Sequence, residues 1–141
     1  MSDHLSVFVD SDAFVALAIE KDSNHNKALK TLSNLIQLPV FFITSNYVFS
    51  ETITVISHKA GHNEAMNFTN KIRSNDERYT IKWIDQVIEL IALNIFSKQT
   101  SKNVSFIDCT NMALVKHDNL DAIFSFDEIY KKNGYRMADS L

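Results

Sequence analysis

Short apolar runs and helical repeats alternate along the chain, and their order predicts the architecture. Leu5 to Val9 (LSVFV) is a run of β-branched and aromatic residues that ends at Asp10, the pattern of a buried strand. A helix is expected from Asp12 or Ala13 to about Glu20. Another covers His25 to Leu35, where Ala28, Leu29, Leu32 and Leu35 recur at helical spacing. Pro39 opens a second strand, Val40 to Ile43. Thr44 or Ser45 is a natural N-cap for the next helix, which runs through Glu51 to Lys59 and stops at Gly61. Then follow a helix over His62 to Ser74, a third strand at Tyr79 to Trp83, an apolar helix over Ile84 to Ser97, a helix over Ser105 to Asp118 and a fourth strand at Ala122 to Ser125. The order βαα, βαα, βα, αβ is that of an α/β domain with a central, mostly parallel sheet of four to five short strands flanked by helices. No composition shift or repeat divides residues 1–141, so one domain is expected.

Composition narrows the setting. A chain of 141 residues buries most of its apolar surface without staples, and one cysteine, Cys109, excludes an internal disulfide framework. The start MSDHLSVFVD has no basic region before a long apolar stretch, and no run approaches the ~20 residues of a membrane span, so a cytoplasmic protein is expected. A net charge of −3 argues against broad electrostatic binding of nucleic acid; any RNA site is local. Lys59, Lys71, Arg73, Arg78, Lys98, Lys102, Lys116, Lys131 and Lys132 are dispersed enough to read mainly as solvated surface.

Four acids change the picture. Asp10 and Asp127 lie just past the first and fourth strands, the edge where parallel sheets bind ligands. Glu51 and Asp108 sit on helix faces shared with Tyr47, Val48 and Val55, and with Met112 and Val115. Each has a structural explanation. Asp10 or Asp12 suits a cap of the first helix, Ser105 with Asp108 has the capping-box spacing, Asp127 suits the cap of a short helix beginning at Glu128, and Glu51 can reach water. Together the acids demand more, because unit charges ~4 Å apart repel by about 4 kcal/mol at an effective dielectric near 20. A carboxylate cluster needs protons or a cation, and all-oxygen ligation favours Mg²⁺ or Mn²⁺, which suits phosphoryl chemistry.

The segments VFVDSDAFVAL, TSNYVFSET, SFIDCTNMAL and FSFDEIYKKNGY resemble the successive acidic motifs of PIN domains. Within that family the chain resembles, from end to end, the VapC-type toxins of toxin–antitoxin pairs. The resemblance implies a three-layer domain and a Mg²⁺- or Mn²⁺-dependent endoribonuclease, dimeric and held inactive by a VapB-type antitoxin. It implies Asp10, Glu51, Asp108 and Asp127 as the catalytic, metal-binding quartet, with Asp10 and Asp108 foremost as ligands. Thr44, Ser105 and Ser125 match hydroxyl positions near the pocket, and Asp12 is a peripheral acid or helix cap. As a mechanism, water activated at the quartet would attack an RNA phosphodiester in line, leaving a 5′-phosphate and a 3′-hydroxyl.

Other readings stand beside it. Asp10-Ser11-Asp12 after a first strand, with FFITS later, also looks like a haloacid-dehalogenase-type phosphatase with Asp10 as nucleophile, although no Gly-Asp-x-x-x-Asp motif follows. A non-catalytic PIN-like module that binds RNA or protein is a third reading. Asn111, a turn beyond Asp108, is positioned to hydrogen-bond a metal-bound water, a role no polar helix residue requires. Cys109 reads as core. His58 and His62 have i, i+4 spacing, but Gly61 between them argues against zinc. The helices Asn26–Ile36 and Asn46–His58 carry apolar residues, Phe49 and Ile53 among them, that suit core for the most part, or a dimer or antitoxin surface.

Overall fold

The computed structural model describes residues 4–74 and 78–141. Strands β1 (Leu5–Val9), β2 (Val40–Ser45), β3 (Tyr79–Lys82) and β4 (Ala122–Phe124) form one parallel sheet in the order β3-β2-β1-β4. A bridge between Ile123 and Met137 adds the start of a fifth parallel strand at the β4 edge. Helices α1 (Ser11–Ala18), α2 (His25–Leu35), α3 (Asn46–Ala60) and α4 (His62–Ile72) come before the third strand. Helices α5 (Gln86–Ser97) and α6 (Phe106–His117) lie between β3 and β4, and α7 (Ile129–Lys132) follows. Helix α3 packs on α1 and α4, and α5 packs on α6; with the strand order, the right-handed crossover rule assigns these two groups to opposite faces of the sheet.

Val7, Phe8 and Ile123 are fully buried at the centre of the sheet. Burying each such side chain contributes roughly 1.5–3 kcal/mol, which is why the two central strands read as unbroken apolar runs. Element ends follow local chemistry. Strand β2 runs two residues past the expected Ile43. Thr44 is therefore a buried strand residue whose hydroxyl donates to the Val9 carbonyl at 2.9 Å, and Ser45 is the cap, accepting from the Val48 amide at 3.0 Å. Helix α5 starts at Gln86 rather than Ile84, because Asn46 Oδ1 takes the Ile84 amide and Asp85 caps the helix. Gly61, with φ of 96°, ends α3 and begins α4, a backbone turn that glycine adopts without strain. This turn separates His58 from His62.

Phe49 and Ile53 pack against the core as expected. The most exposed apolar surface lies instead on α5, where Val87, Leu90, Leu93 and Phe96 are 46–59% exposed beside Trp83 at 72%. No helix among the described residues is long and apolar enough to cross a membrane.

Candidate active site at the strand ends

The sheet order places the switch between the two crossover directions at β1 and β4, and the crevice beyond their carboxyl ends is where a parallel sheet binds ligands. Val9 pairs with Phe124, and the Asp10 amide donates to the Phe124 carbonyl at 3.1 Å, so Asp10 and Ser125 leave the sheet side by side.

Asp10 caps α1. Its Oδ1 accepts from the Ser11 amide at 2.7 Å and from Asn111 Nδ2 at 3.2 Å. Its Oδ2 accepts from the Tyr130 hydroxyl at 2.5 Å. Burial, helped by the charge of Asp12, pushes the Asp10 carboxyl from 3.8 up to about 7; the bonds from Tyr130 and Ser11 oppose this and Asp108 adds to it. Asp12 stands in the first turn of α1. Its Oδ2 accepts from Ser125 Oγ at 3.0 Å and the Phe126 amide at 2.8 Å, while Oδ1 is buried with no partner among the described residues. Its carboxyl is also raised, by burial first and with a contribution from Asp127.

Asp108 completes the expected capping box: Ser105 Oγ accepts its amide, and its Oδ2 accepts the Ser105 amide, both at 3.0 Å. The other oxygen, Oδ1, lies 3.4 Å from the Tyr130 hydroxyl. Burial and the charge of Asp127 raise this carboxyl above its ordinary value. Asp127 is exposed; its Oδ1 accepts from the Ile129 amide at 3.0 Å at the start of α7, and its amide donates to Ser125 Oγ. The Ser125 hydroxyl thus links Asp12 to Asp127.

Four aspartates are therefore linked by charge: Asp12 and Asp108 raise Asp10, and Asp127 raises both Asp12 and Asp108. Asp12, read from sequence as peripheral, is part of this cluster. Glu51 is not among the charges that shift these groups; it is half-buried on α3, and its carboxylate makes no hydrogen bond or ion pair among the described residues. Asn111 is fully buried, and both its amide protons are taken, by Asp10 and by Tyr130 Oη at 2.9 Å; its own Oδ1 has no described partner. Thr44 and Ser105 serve the backbone. Cys109 is fully buried with its thiol pushed up by burial, which keeps it protonated and unreactive.

Tyr130 carries no signal from sequence beyond its place three residues after Asp127, yet its hydroxyl is the hub between Asp10, Asp108 and Asn111. Lys27 and Lys30 are also new. With Lys131, Asn24 and Phe126 they line a cavity of about 510 Å³ that opens beside Ser125 and Asp127.

The donor set is hard oxygen, and the raised carboxyls together with the partnerless oxygens of Asp12 and Asn111 are what a cation would relieve. Among the described residues no group of three or more His, Cys, Asp or Glu side chains is gathered closely enough, as they stand, to hold a metal ion.

The PIN domain family model matches residues 7–134. The chain is 24% identical over 129 residues to the 23S rRNA-specific endonuclease VapC20 of Mycobacterium tuberculosis, covering 92% of this chain and 95% of that protein. The crystal structure of the same VapC20, a Sarcin-Ricin loop cleaving toxin, superposes with a TM-score of 0.81 at 22% identity over 92% of this chain and 95% of that one. FitAcB from Neisseria gonorrhoeae matches with a TM-score of 0.66 at 13% identity, over 95% and 98% of the two chains. VapBC2 from Rickettsia felis, bound to a DNA fragment from their promoter, matches at 0.62 and 11% identity, over 94% and 96%.

Proposed function

The chain belongs to the PIN-domain family, and on that premise we propose that it is a Mg²⁺- or Mn²⁺-dependent endoribonuclease, the toxin of a VapBC-type pair. The observation that supports this reading most is the coupling of Asp10, Asp12, Asp108 and Asp127 into one cluster at the β1 and β4 ends. Like charges held this close in a structural role alone would be a standing cost to the fold.

On this reading Asp10 and Asp108 hold the metal, with Glu51 and Asp127 completing the quartet. When bound, the ion supplies Lewis acidity and a water acidic enough to attack a phosphodiester. The chain's own groups set the stage. The Ser11 amide and Asn111 orient Asp10, the Ser105 amide holds one oxygen of Asp108, and Asp12 fixes the Ser125–Phe126 backbone from which Asp127 projects. Lys27, Lys30 and Lys131 offer cations to RNA phosphates in a cavity that Asp127, Glu128 and Asp139 also line, and Phe126 offers a ring to an unpaired base. The RNA strand enters through this cavity toward Asp127. A VapB-type antitoxin is the partner, the work is cytoplasmic, and a second copy covers the apolar face of α5 in a homodimer.

Purified protein freed of any antitoxin and given Mn²⁺ is expected to cleave ribosomal RNA, to stop on EDTA, and to lose cleavage in Glu51→Gln and Asp108→Asn. Intact RNA with the wild type, or cleavage by both variants at the wild-type rate, overturns the reading.

A further inference from the structure

We propose that Tyr130 is a positioning residue of the acid site: its buried hydroxyl, oriented by Asn111, fixes the Asp10 carboxylate with one lone pair of Oδ2 left open for a metal ion. The identity of the ion rests on the reading above; the hydrogen-bond geometry does not.

An ionised carboxylate has about four acceptor sites, two on each oxygen. On Asp10, Oδ1 is saturated by the Ser11 amide at 2.7 Å and Asn111 Nδ2 at 3.2 Å, while Oδ2 takes only the Tyr130 proton at 2.5 Å. The remaining acceptor site therefore belongs to Oδ2. Asn111 closes the ring by donating its second proton to the Tyr130 oxygen at 2.9 Å, which turns the phenol proton toward Asp10. Donors from the N-terminus of α1, from α6 and from α7 thus grip one carboxylate, and its rotation is fixed by three separate elements. Groups that hydrogen-bond a ligating carboxylate commonly tune metal affinity in this way.

Asp108 explains the direction. Its Oδ1 lies 3.4 Å from the same hydroxyl, whose single proton is already committed to Asp10. The phenol therefore leaves Asp108 Oδ1 without a strong donor, and the open sites of the two carboxylates flank one hydroxyl. Tyr130 is fully buried, so its ring fills core space as phenylalanine would. What the hydroxyl adds is the orientation of Asp10.

The test is Mn²⁺ titration of the metal-free protein by calorimetry, comparing wild type with Tyr130→Phe and, as a second variant that removes the other arm, Asn111→Ala. Each variant is expected to bind Mn²⁺ about 10-fold or more weakly. Cleavage by Tyr130→Phe is expected to recover as Mn²⁺ is raised, with the KM for RNA unchanged; a purely packing role would leave the metal dependence where it was. A wild type that binds Mn²⁺ alongside a folded Tyr130→Phe of equal affinity overturns the positioning role and leaves the nuclease reading standing. Should Tyr130→Phe fail to fold, the affinity of Asn111→Ala decides in the same terms. A folded wild type that takes up no Mn²⁺ overturns the metal-dependent reading and this inference with it.

Discussion

Replacing Asp10 by Asn should stabilise the metal-free protein while abolishing its activity. The carboxyl of Asp10 is pushed from 3.8 to about 7, by burial first and then by Asp12. A group whose pKa is raised on folding binds its proton more tightly in the native state. The stability it contributes is complete below pH 3.8, falls as pH rises toward 7, and is gone above that. At about 1.4 kcal/mol per unit the whole span is worth about 4 kcal/mol, an upper figure because neighbouring carboxylates share the charge.

Asparagine never ionises, and it fits the network. Its carbonyl can accept from the Ser11 amide and Asn111, its amide can donate to Tyr130, and the phenol proton then turns to Asp108 Oδ1 at 3.4 Å. One amide proton is left without a described partner, which offsets part of the gain. The gain at pH 8 in EDTA should be roughly 2–4 kcal/mol, or on the order of 10 °C in Tm for a domain of this size. Calorimetric melts of wild type and Asp10→Asn at pH 4 and pH 8, both in EDTA, test it. The two proteins should melt together at pH 4 and separate at pH 8. An equal gain at both values would assign it to packing rather than charge, and no gain at pH 8 would refute the buried-charge argument.

The same charge makes metal binding visible in stability. Mn²⁺ at a fixed concentration, 100 times its Kd at pH 8, should raise wild-type stability by about 2.7 kcal/mol at pH 8 and by less at pH 5, where Asp10 keeps its proton; equal shifts in calorimetry would count against Asp10 as a ligand. Glu51→Gln should cut cleavage about 100-fold while leaving stability within about 0.5 kcal/mol, because Glu51 is half-buried and its carboxylate makes no hydrogen bond among the described residues; a large fall in Tm would assign it a structural role. Leu90→Asp, on the exposed face of α5, should turn a dimer into a monomer in light scattering, and a dimer that persists would exclude that face.

The strands were legible because central parallel strands are apolar on both faces, and the helices because their caps follow local rules. Boundaries failed where a distant side chain intervened, as when Asn46 took the Ile84 amide and moved the start of α5 to Gln86. Helix α7, four residues long, is too short to show a helical period, so only its cap signal near Glu128 was readable. The acids were legible by their place at strand ends and in first turns. Their connections were not. Asp12 meets Ser125 and Phe126 across 113 and 114 residues, and Tyr130 meets Asp10 across 120, separations at which neither spacing nor periodicity carries information.

The sequence left Asp10, Asp108 and Asp127 divided between a cap and a site, and the two roles do not exclude one another. Asp10 caps with Oδ1 and Asp108 boxes with Oδ2, while Asp127 turns the chain with Oδ1 and Asp12 holds a loop with Oδ2. In Asp10 and Asp108 the second oxygen meets the Tyr130 hydroxyl rather than a backbone amide. In these two residues one oxygen orients the side chain, and the other faces the shared Tyr130 hydroxyl. A substitution that keeps the capping oxygen therefore separates the two roles. Asp108→Asn can retain its box to Ser105 and should melt no lower than the wild type, whereas Asp108→Ala should lose about 1 kcal/mol with the cap; both should lose cleavage. If Asp108→Asn were as destabilised as Asp108→Ala, the division between the two oxygens would be wrong.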